Sequence, residues 1–488
     1  MSISSALNNA ASGLAASARL ADTISNNVAN AMTDGFGRRT TEISSLSLGG
    51  YGSGARIGVT TRAESPYLTA ERRGMDAALG ATGTRSDVYE RMMAAMGEPG
   101  AANALSTLAT ALETTLMSAT AAPQSTAKLT EAVSAASALA DAINRVAEDN
   151  VRLRTEADGE IGRQVDAVNA ALHAVDDINR KIASLVPKGV DVTGLQDERQ
   201  RIIDGIAAIV PVRTVKREND QVALYSANGG VLLDGRVFEL GFARAANVVT
   251  PEMGVGTGLA TLTQDQGASA GPEAVPTGTG GGQFDGGSLA ALFEVRDRIV
   301  PEFDGEIDRY ASDLIERFRD LMPAGALDAS GEGVFVDANP GGLTGLAGRI
   351  AINAAVDPNA GGAVWRLRDG LGAAVPGAEG DGTTLQAMSD AMMAARDPLG
   401  FVSQNARTGS ATMASEIGSF FAGRAARSDE DRAYLVARQS ALVEQETHET
   451  GVDSDAELES LMLVEQAYAA NARVLSVVDE LMKLLLEV

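Results

Sequence analysis

The sequence of 488 residues contains no cysteine, so it can form no disulfide, no thiolate metal site and no cysteine nucleophile. Histidine is almost as scarce. Only His173 and His448 occur, and neither has a second ligand at metal-binding spacing, so we interpret both as surface or internally satisfied side chains. Aromatic residues make up 4% of the chain. This composition argues against a deep ligand pocket and predicts no cofactor, no metal and no catalytic residue.

The chain also lacks a net positive charge, because its acidic residues outnumber its basic ones, and it lacks long apolar runs. Its net charge of −25 argues against nucleic acid or an anionic membrane as the main partner. No run reaches the roughly 20 apolar residues that span a bilayer. Residues 1–20 lack the basic flank and continuous apolar centre of a secretory signal. We therefore expect a cytosolic protein, or one that leaves the cell without a cleaved signal.

Apolar and small residues near the start follow alternating spacings of four and three. This pattern is a heptad seam, and it predicts a helix that packs along another helix. Its small members would let that partner approach closely. The seam consists of Ile3, Leu7, Ala10, Leu14, Ser17, Ala21, Ile24 and Val28.

A matching seam occupies the last 35 residues. Ser454 and Glu457 have the spacing of a capping box, which predicts a helix start near residue 454. Asn471 would lie inside the seam, where a buried asparagine can fix register and helix number. The predicted seam comprises Leu461, Val464, Tyr468, Asn471, Leu475, Val478, Met482 and Leu485.

Two further heptad runs, over residues 129–147 and 161–186, predict two helices paired antiparallel in a bundle. A shorter helix would end at Pro211. Beyond it, short β-propensity runs are separated by Asn-Asp, Asn-Gly and Asp-Gly turn signals, which predicts strands. Residues 250–287 are rich in Gly, Thr and Pro and predict loops, and residues 288–322 return to a helical pattern in which Pro301 starts or kinks the helix.

These patterns predict a mostly α fold with an inserted β-rich domain: terminal coiled-coil helices, a helical bundle layer and an outer β domain. The division that we infer has three parts. Residues 1–55 and 440–488 form the terminal helical region, residues 56–210, 287–323 and 383–439 form the bundle, and residues 211–286 and 324–382 form the β-rich part with flexible segments.

Carboxylates cluster in two places, at residues 302–308 and 453–459. A hydrolase would need two of them buried with separated pKa values. Solvated helix faces and helix caps are the more common explanation in an acidic protein, so we interpret both clusters as structural.

The two ends together resemble the axial proteins of the bacterial flagellum, the family of rod, hook and hook-associated proteins. The stretch "ISNNVANAMTDGFGRRT" is similar to that family's N-terminal motif, in Asn27, Asn30, Thr33, Gly35 and Phe36. The C-terminal "VEQAYAANARVL" is similar to its partner motif, which includes Gln466 and Ala470. Residues 36–39, Phe-Gly-Arg-Arg, depart from the Tyr-Ser-Arg-Gln that is common in hook–filament junction proteins.

Three internal blocks resemble the junction branch of this family: "GARIGVTTRAESPYLTAERR", "LQDERQRIIDGIAAIVPV" and "GGSLAALFEVRDRIVPEFDGEIDRYASDLIERF". The resemblance implies a non-enzymatic flagellar subunit that connects hook and filament after unfolded export through the flagellar type III system. It would be cytoplasmic before export and extracellular afterwards. Its ends would stay disordered until neighbouring subunits supply the other halves of the seams.

The implied partners are further copies of the chain in a ring or helical turn, the hook protein, hook-associated protein 3 as the second junction protein, and a cytosolic export chaperone. The chaperone would bind Leu475, Val478, Met482 and Leu485. Two alternatives stay open: a hook or distal-rod subunit, and a secreted hydrolase that uses the carboxylates of residues 302–308.

Overall fold

The structure is a computed structural model that describes residues 3–33, 35–48, 51–98, 100–266, 271–278, 282–396 and 408–486. Helices dominate it. In chain order they are α1 (Ile3–Ala29), α2 (Pro66–Met96), α3 (Leu105–Ala121), α4 (Thr126–Leu185), α5 (Thr193–Ala207), α6 (Gly287–Glu294), α7 (Val300–Asp320), α8 (Arg366–Asp369), α9 (Thr383–Met393), α10 (Ser410–Thr450) and α11 (Ser454–Leu486).

The strands are short and form small sheets. They are β1 (Arg39–Leu48), β2 (Tyr51–Arg62), β3 (Val212–Lys216), β4 (Val222–Ser226), β5 (Val231–Leu233), β6 (Leu240–Gly241), β7 (Gly254–Val255), β8 (Gly258–Leu259), β9 (Leu262–Asp265), β10 (Pro272–Val275), β11 (Phe335–Asp337) and β12 (Ile350–Ile352). The sheet orders are β1-β2, β3-β4-β5, β10-β9-β6 and β11-β12, all antiparallel, and a parallel β7-β8 pair. The predicted mostly α fold with an inserted β-rich region is confirmed.

Helix α4 is the spine of the bundle. It contacts α2, α3, α5, α6 and α7. The prediction of two antiparallel helices over residues 129–147 and 161–186 is wrong, because both runs belong to this one helix of 60 residues. The heptad spacing continues between them through Asn150, Arg154 and Ala157, all buried. Because Asn150 and Arg154 are polar, the apolar pattern in the sequence did not show that the seam is continuous.

Helix α6 leads into α7 through a π-helical turn at residues 295–299, and Pro301 lies in the first turn of α7. The sequence prediction that Pro301 starts or kinks this helix is therefore confirmed. The amide of Val300 donates to the carbonyl of Val295 in the π-helical turn, so the irregular hydrogen bonding of the helix lies directly before Pro301, which has no amide hydrogen to donate. Phe303, Ile307 and Leu314 of α7 are fully buried against the bundle.

The β-rich region lies against the bundle and shares its core. Leu224, Leu233, Leu240 and Leu262 are buried in the same apolar cluster as the inner face of α4. A buried glutamine, Gln264, donates through Nε2 to the carbonyl of Val231 at 2.6 Å and so joins two of the sheets. The predicted strands after Val212 are confirmed.

The hairpin of β1 and β2 was not predicted from the sequence. It packs on α1, where Thr23 and Thr41 hydroxyls lie 2.7 Å apart and the amide of Ala55 donates to Ser12 Oγ at 3.1 Å. The predicted boundary at residue 55 falls inside β2, and the boundary at residue 440 falls inside α10. The terminal region is thus joined to the bundle by continuous elements rather than by linkers.

Candidate assembly surface

The two ends of the chain form the candidate site, because α1 and α11 pack along each other. Gly13 marks their close approach: a Cβ atom at this position would lie 2.7 Å from the amide nitrogen of Asn471. Beyond the C-terminal end of α1, Arg38 Nε donates to Glu457 Oε1 at 2.7 Å, near the start of α11. These two contacts give the helices an antiparallel arrangement, in which the half-buried Asn471 faces Gly13.

We call the contact between α1 and α11 the inner seam, and most residues predicted for it are buried or half-buried, as packing of the two helices along each other requires. Its buried members are Ala10, Ser17, Ile24 and Val478. Its half-buried members are Ile3, Leu7, Leu14, Ala21, Val28, Leu461, Val464, Asn471 and Leu475. The side chain of Leu485 lies outside the described residues.

Two residues predicted for the seam are instead exposed, Tyr468 by 49% and Met482 by 45%. A tyrosine ring three residues from Asn471 is too large to lie between helices that approach so closely. Met482 stands 11 residues after Asn471, so in the antiparallel pair it falls opposite residue 2, before the described start of α1. Both side chains therefore extend the apolar surface of α11 outside the inner seam.

The inner seam corrects the expectation that each end waits for a neighbouring subunit. In the structure α11 of the same chain supplies the second half of the seam of α1. This follows from the sequence because the two seams have the same period and complementary sizes, with Gly13, Ala10 and Ser17 on one side and larger residues on the other.

Replacing Gly13 by leucine should separate α1 from α11. The new side chain would meet Asn471, whereas a Cβ atom at Gly74 of α2, an exposed position, would meet nothing within 4 Å. Overpacking costs about 1–3 kcal/mol, so amide exchange of both terminal helices should accelerate roughly tenfold in Gly13→Leu. Gly74→Leu is the matched control, since it adds the same side chain to an open helix position. Unchanged exchange in Gly13→Leu would contradict the inner seam.

A second apolar stripe on α11 was missed in the sequence. It repeats the four-and-three spacing one residue away from the inner seam, which places it about 100° around the helix. We call it the outer stripe; it consists of Leu463, Ala467, Ala470, Val474, Val477, Leu481 and Leu484. All seven are exposed, with Leu463 and Val477 at 61% and 55%. A contiguous exposed apolar stripe of this kind marks an interaction surface.

The segment after α1 turns the chain into β1. Asn27 Nδ2 donates to the carbonyl oxygen of Arg39, and Asn27 Oδ1 accepts from the amide of Arg39, both at 2.9 Å. Gly35 has a φ of +76°, a conformation that a side chain opposes. The amide of Phe36 donates to the carbonyl of Thr33 at 3.1 Å, and the Arg39 guanidinium lies 4.8 Å from the ring centre of Phe36. The N-terminal motif therefore forms a turn that is held by specific hydrogen bonds.

The other motif residues have different roles. Asn30 accepts a hydrogen bond from the hydroxyl of Thr33 at 3.3 Å and donates to the carbonyl of Asn26 at 2.9 Å, which closes the end of α1. Gln466 and Ala470 of the C-terminal motif are exposed on α11. The N-terminal motif thus shapes the turn, whereas these two C-terminal residues belong to the free surface.

Charged contacts brace the terminal helices on the bundle. Asp197 of α5 accepts from the amide of Gly37 at 3.3 Å, from Arg39 at 3.2 Å and from Arg62. The amide of Arg38 also donates to the carbonyl of Thr450, at the end of α10, at 2.9 Å. A Cβ atom at Gly37 would lie 2.6 Å from Arg62 Nε. Residues 37–39 therefore serve as the joint between turn, hairpin and bundle.

The carboxylates of residues 302–308, which we interpret as structural, do not form a solvated helix face, because Asp304, Glu306 and Asp308 are buried at 7%, 2% and 5% exposure. Carboxylates of this cluster accept hydrogen bonds from other parts of the fold. Asp308 accepts from the amides of Gly345 and Ala347, both at 2.7 Å. Glu302 accepts two hydrogen bonds from Arg424, at 2.8 and 2.9 Å.

The second carboxylate cluster forms the start of α11. Asp453 Oδ1 accepts from the amides of Asp455 and Ala456 at 3.0 and 3.1 Å, so Asp453 is the cap, not Ser454. Glu457 is buried and pairs with Arg38 instead of completing a capping box. The helix nevertheless begins at Ser454, as the sequence predicts.

Neither histidine lies in a site. His173 Nε2 lies 2.8 Å from Glu239 Oε1 in an exposed pair, and His448 is exposed on α10. Within the described ranges, no group of three or more acidic, histidine or cysteine side chains could hold a metal ion. Among the helices that the structure describes, none combines the length and apolar character needed to cross a membrane.

Comparison with known proteins connects this architecture to one class. Residues 7–36 match the family model of the flagella basal body rod protein, and residues 448–488 match that of the flagellar basal body rod FlgEFG protein C-terminal region. These matches cover α1 with its turn, and α11. The two ends of the chain, which pack along each other as helices, are thus similar to the terminal segments of flagellar rod proteins.

The family follows from the helical bundle. Residues 89–335, just over half of the chain, match the model of the flagellar hook-associated protein FlgK helical domain, and the chain belongs to this family. Flagellar hook-associated protein 1 of Bacillus subtilis strain 168 is 24% identical over 267 residues, which cover 48% of this chain and 51% of that protein.

A solved structure, the flagellar hook junction protein FlgK from Burkholderia pseudomallei, is 19% identical with a TM-score of 0.45 and covers 57% of this chain and 47% of that chain. The chain thus spans about half the length of each of these two relatives.

Proposed function

We propose that this protein is a junction subunit of the flagellum, the first one that connects hook and filament, and that it acts as a structural adaptor without enzymatic activity. The observation that carries the proposal is the match of the hook-associated helical domain from the last turns of α2 through α7, between two rod-type terminal segments. Engagement of the α7 carboxylates within the fold favours a structural role for them over hydrolysis.

Assembly proceeds through the terminal helices. The inner seam keeps α1 and α11 together in each subunit, and the outer stripe of α11 packs against adjacent axial subunits. The helical pair would line an inner tube, with the bundle outside it and the β-rich region outermost. The neighbours are further copies of the chain, the hook protein on one side and hook-associated protein 3 on the other.

Export precedes assembly. The chain leaves the cytoplasm unfolded through the flagellar type III system and acts outside the cell. An export chaperone binds α11 in the cytoplasm and covers its apolar surface, including Leu475, Val478 and Met482. The 33-residue length of α11 and its two apolar faces support this role, because an uncovered helix of this kind associates prematurely.

Deletion of the gene tests the proposed position. We expect cells with hooks of normal length but no filaments, and flagellin shed into the medium, because filament subunits would lack their attachment site. Electron microscopy of the cells and an assay for flagellin in the medium measure both results. Missing hooks would instead assign the protein to the hook or distal rod, and intact flagella would refute an axial role.

A further inference from the structure

A buried amide and a buried carboxyl group join α4 to α7 in the centre of the bundle. Asn150 Nδ2 donates to Asp304 Oδ1 at 2.7 Å. Asn150 is fully buried and Asp304 is 7% exposed. The two other oxygens of the pair, Asn150 Oδ1 and Asp304 Oδ2, are buried and have no hydrogen-bond partner among the described residues. Both are acceptors if Asp304 is ionised, so neither can satisfy the other.

A single proton resolves this arrangement. A proton on Asp304 Oδ2 makes this oxygen a donor, and Asn150 Oδ1, the other oxygen of the pair without a partner, is an acceptor for it. The carboxylic acid and the amide then form two parallel hydrogen bonds, which leaves none of the four polar atoms unpaired.

The charged groups around Asn150 and Asp304 do not neutralise the negative charge of an ionised Asp304. Arg154 of α4 faces it, but its guanidinium donates to the carbonyls of Arg296, Thr250 and Met253 at 3.0, 2.8 and 2.7 Å. Asp308, one turn along α7, and Glu252, from the loop before β7, add negative charge. Burial, with smaller contributions from Asp308 and Glu252, raises the pKa of Asp304 to about 7, although the hydrogen bond from Asn150 and the charge of Arg154 oppose the rise.

We propose that Asp304 is protonated in the folded protein up to neutral pH, and that this proton fastens α4 to α7 as a pH-sensitive lock. When the proton leaves for bulk water, a carboxylate without a donor for Oδ2 remains beside the unpaired oxygen of Asn150. The contact then favours separation of the two helices. The proposal does not depend on the flagellar role of the chain.

The direction of the pH effect follows from proton binding. The ordinary pKa of the carboxyl is 3.8 and the folded pKa is about 7, so between these values the folded state holds a proton that the unfolded state has lost. The stabilisation is complete below pH 4 and is lost as pH rises towards 7. In this window the unfolding equilibrium constant rises by up to about tenfold per pH unit.

The test is chemical unfolding of the wild type and of Asp304→Asn from pH 5 to pH 8. Asparagine keeps one donor and one acceptor towards Asn150 but cannot ionise. We expect the ratio of unfolding constants, wild type over variant, to rise on the order of 100-fold across this range. Parallel pH profiles of the two proteins would overturn the proposal.

Asp328→Asn is the control, because Asp328 accepts from the amides of Ser330 and Glu332 at 2.7 and 3.0 Å and its pKa is lowered by hydrogen bonds that outweigh the effect of burial. It should be destabilised by the same amount at every pH from 5 to 8, because Asp328 is ionised in the folded and unfolded states throughout this range. A second measurement needs no folded variant: carbon-13 NMR of the aspartate-labelled wild type should show a carboxyl resonance with a midpoint near pH 7. If every aspartate resonance has completed its titration below pH 6, the proposal fails.

Discussion

Replacing Val474 and Val477 by aspartate is expected to abolish incorporation of the protein into flagella and to leave the isolated chain folded. Both valines belong to the outer stripe and are exposed, at 46% and 55%. Surface substitutions usually change stability by less than about 0.5 kcal/mol. In the assembly these positions would be buried between helices, where an unpaired charge costs about 3–5 kcal/mol. Each substitution would therefore weaken association at least about a hundredfold.

Complementation of a gene deletion measures this effect through motility, filament number and the amount of protein in isolated flagella. Circular dichroism and urea unfolding of the purified variant check the fold. Val375→Asp is the matched control, because Val375 is 73% exposed in the glycine-rich segment after α8 and should tolerate the charge. Normal incorporation of the double variant would place the subunit contacts on another face.

The outer stripe also illustrates why the sequence predicted only part of the site. The inner seam could be found because its residues repeat every seven positions at each end of the chain. The outer stripe has the same period and the same signal, but two overlapping stripes on one helix do not reveal which one meets α1. That choice depends on Gly13 and Asn471, whose contact exists only after folding.

Polar residues in the core explain most of the other differences between the sequence predictions and the structure. Asn150 and Arg154 occupy heptad positions of α4, so an apolar pattern alone breaks the helix where the structure continues it. Asp308 can be buried because two backbone amides donate to its carboxylate, and Asp304 because it accepts from Asn150 and holds a proton. The pattern of charges along the sequence does not indicate such partners. The hairpin of β1 and β2 contains many serine and glycine residues and packs on α1, so its local sequence carries a weak strand signal.

Replacing Arg317 by leucine is expected to destabilise the protein by about 3–5 kcal/mol, the cost of breaking a buried ion pair. The side chain of Arg317 is completely buried in α7 and pairs with Asp313. Burial raises the pKa of Asp313, and Arg317 opposes this rise. Arg317 also donates to the carbonyls of Ala391 at 2.9 Å and Thr408 at 3.0 Å. It thereby ties the end of α9 to the start of α10.

Urea unfolding of Arg317→Leu and of Arg319→Leu measures the difference. Arg319 lies two residues further along α7, is 41% exposed and pairs with Asp320 at the surface, so its loss should cost less than about 1 kcal/mol. Equal stability of the two variants would show that the buried arginine is dispensable. Because α10 leads directly into α11, loss of the Arg317 anchor should also loosen the support of the terminal helices. Arg317→Leu should therefore reduce incorporation into flagella although no residue of the outer stripe has changed.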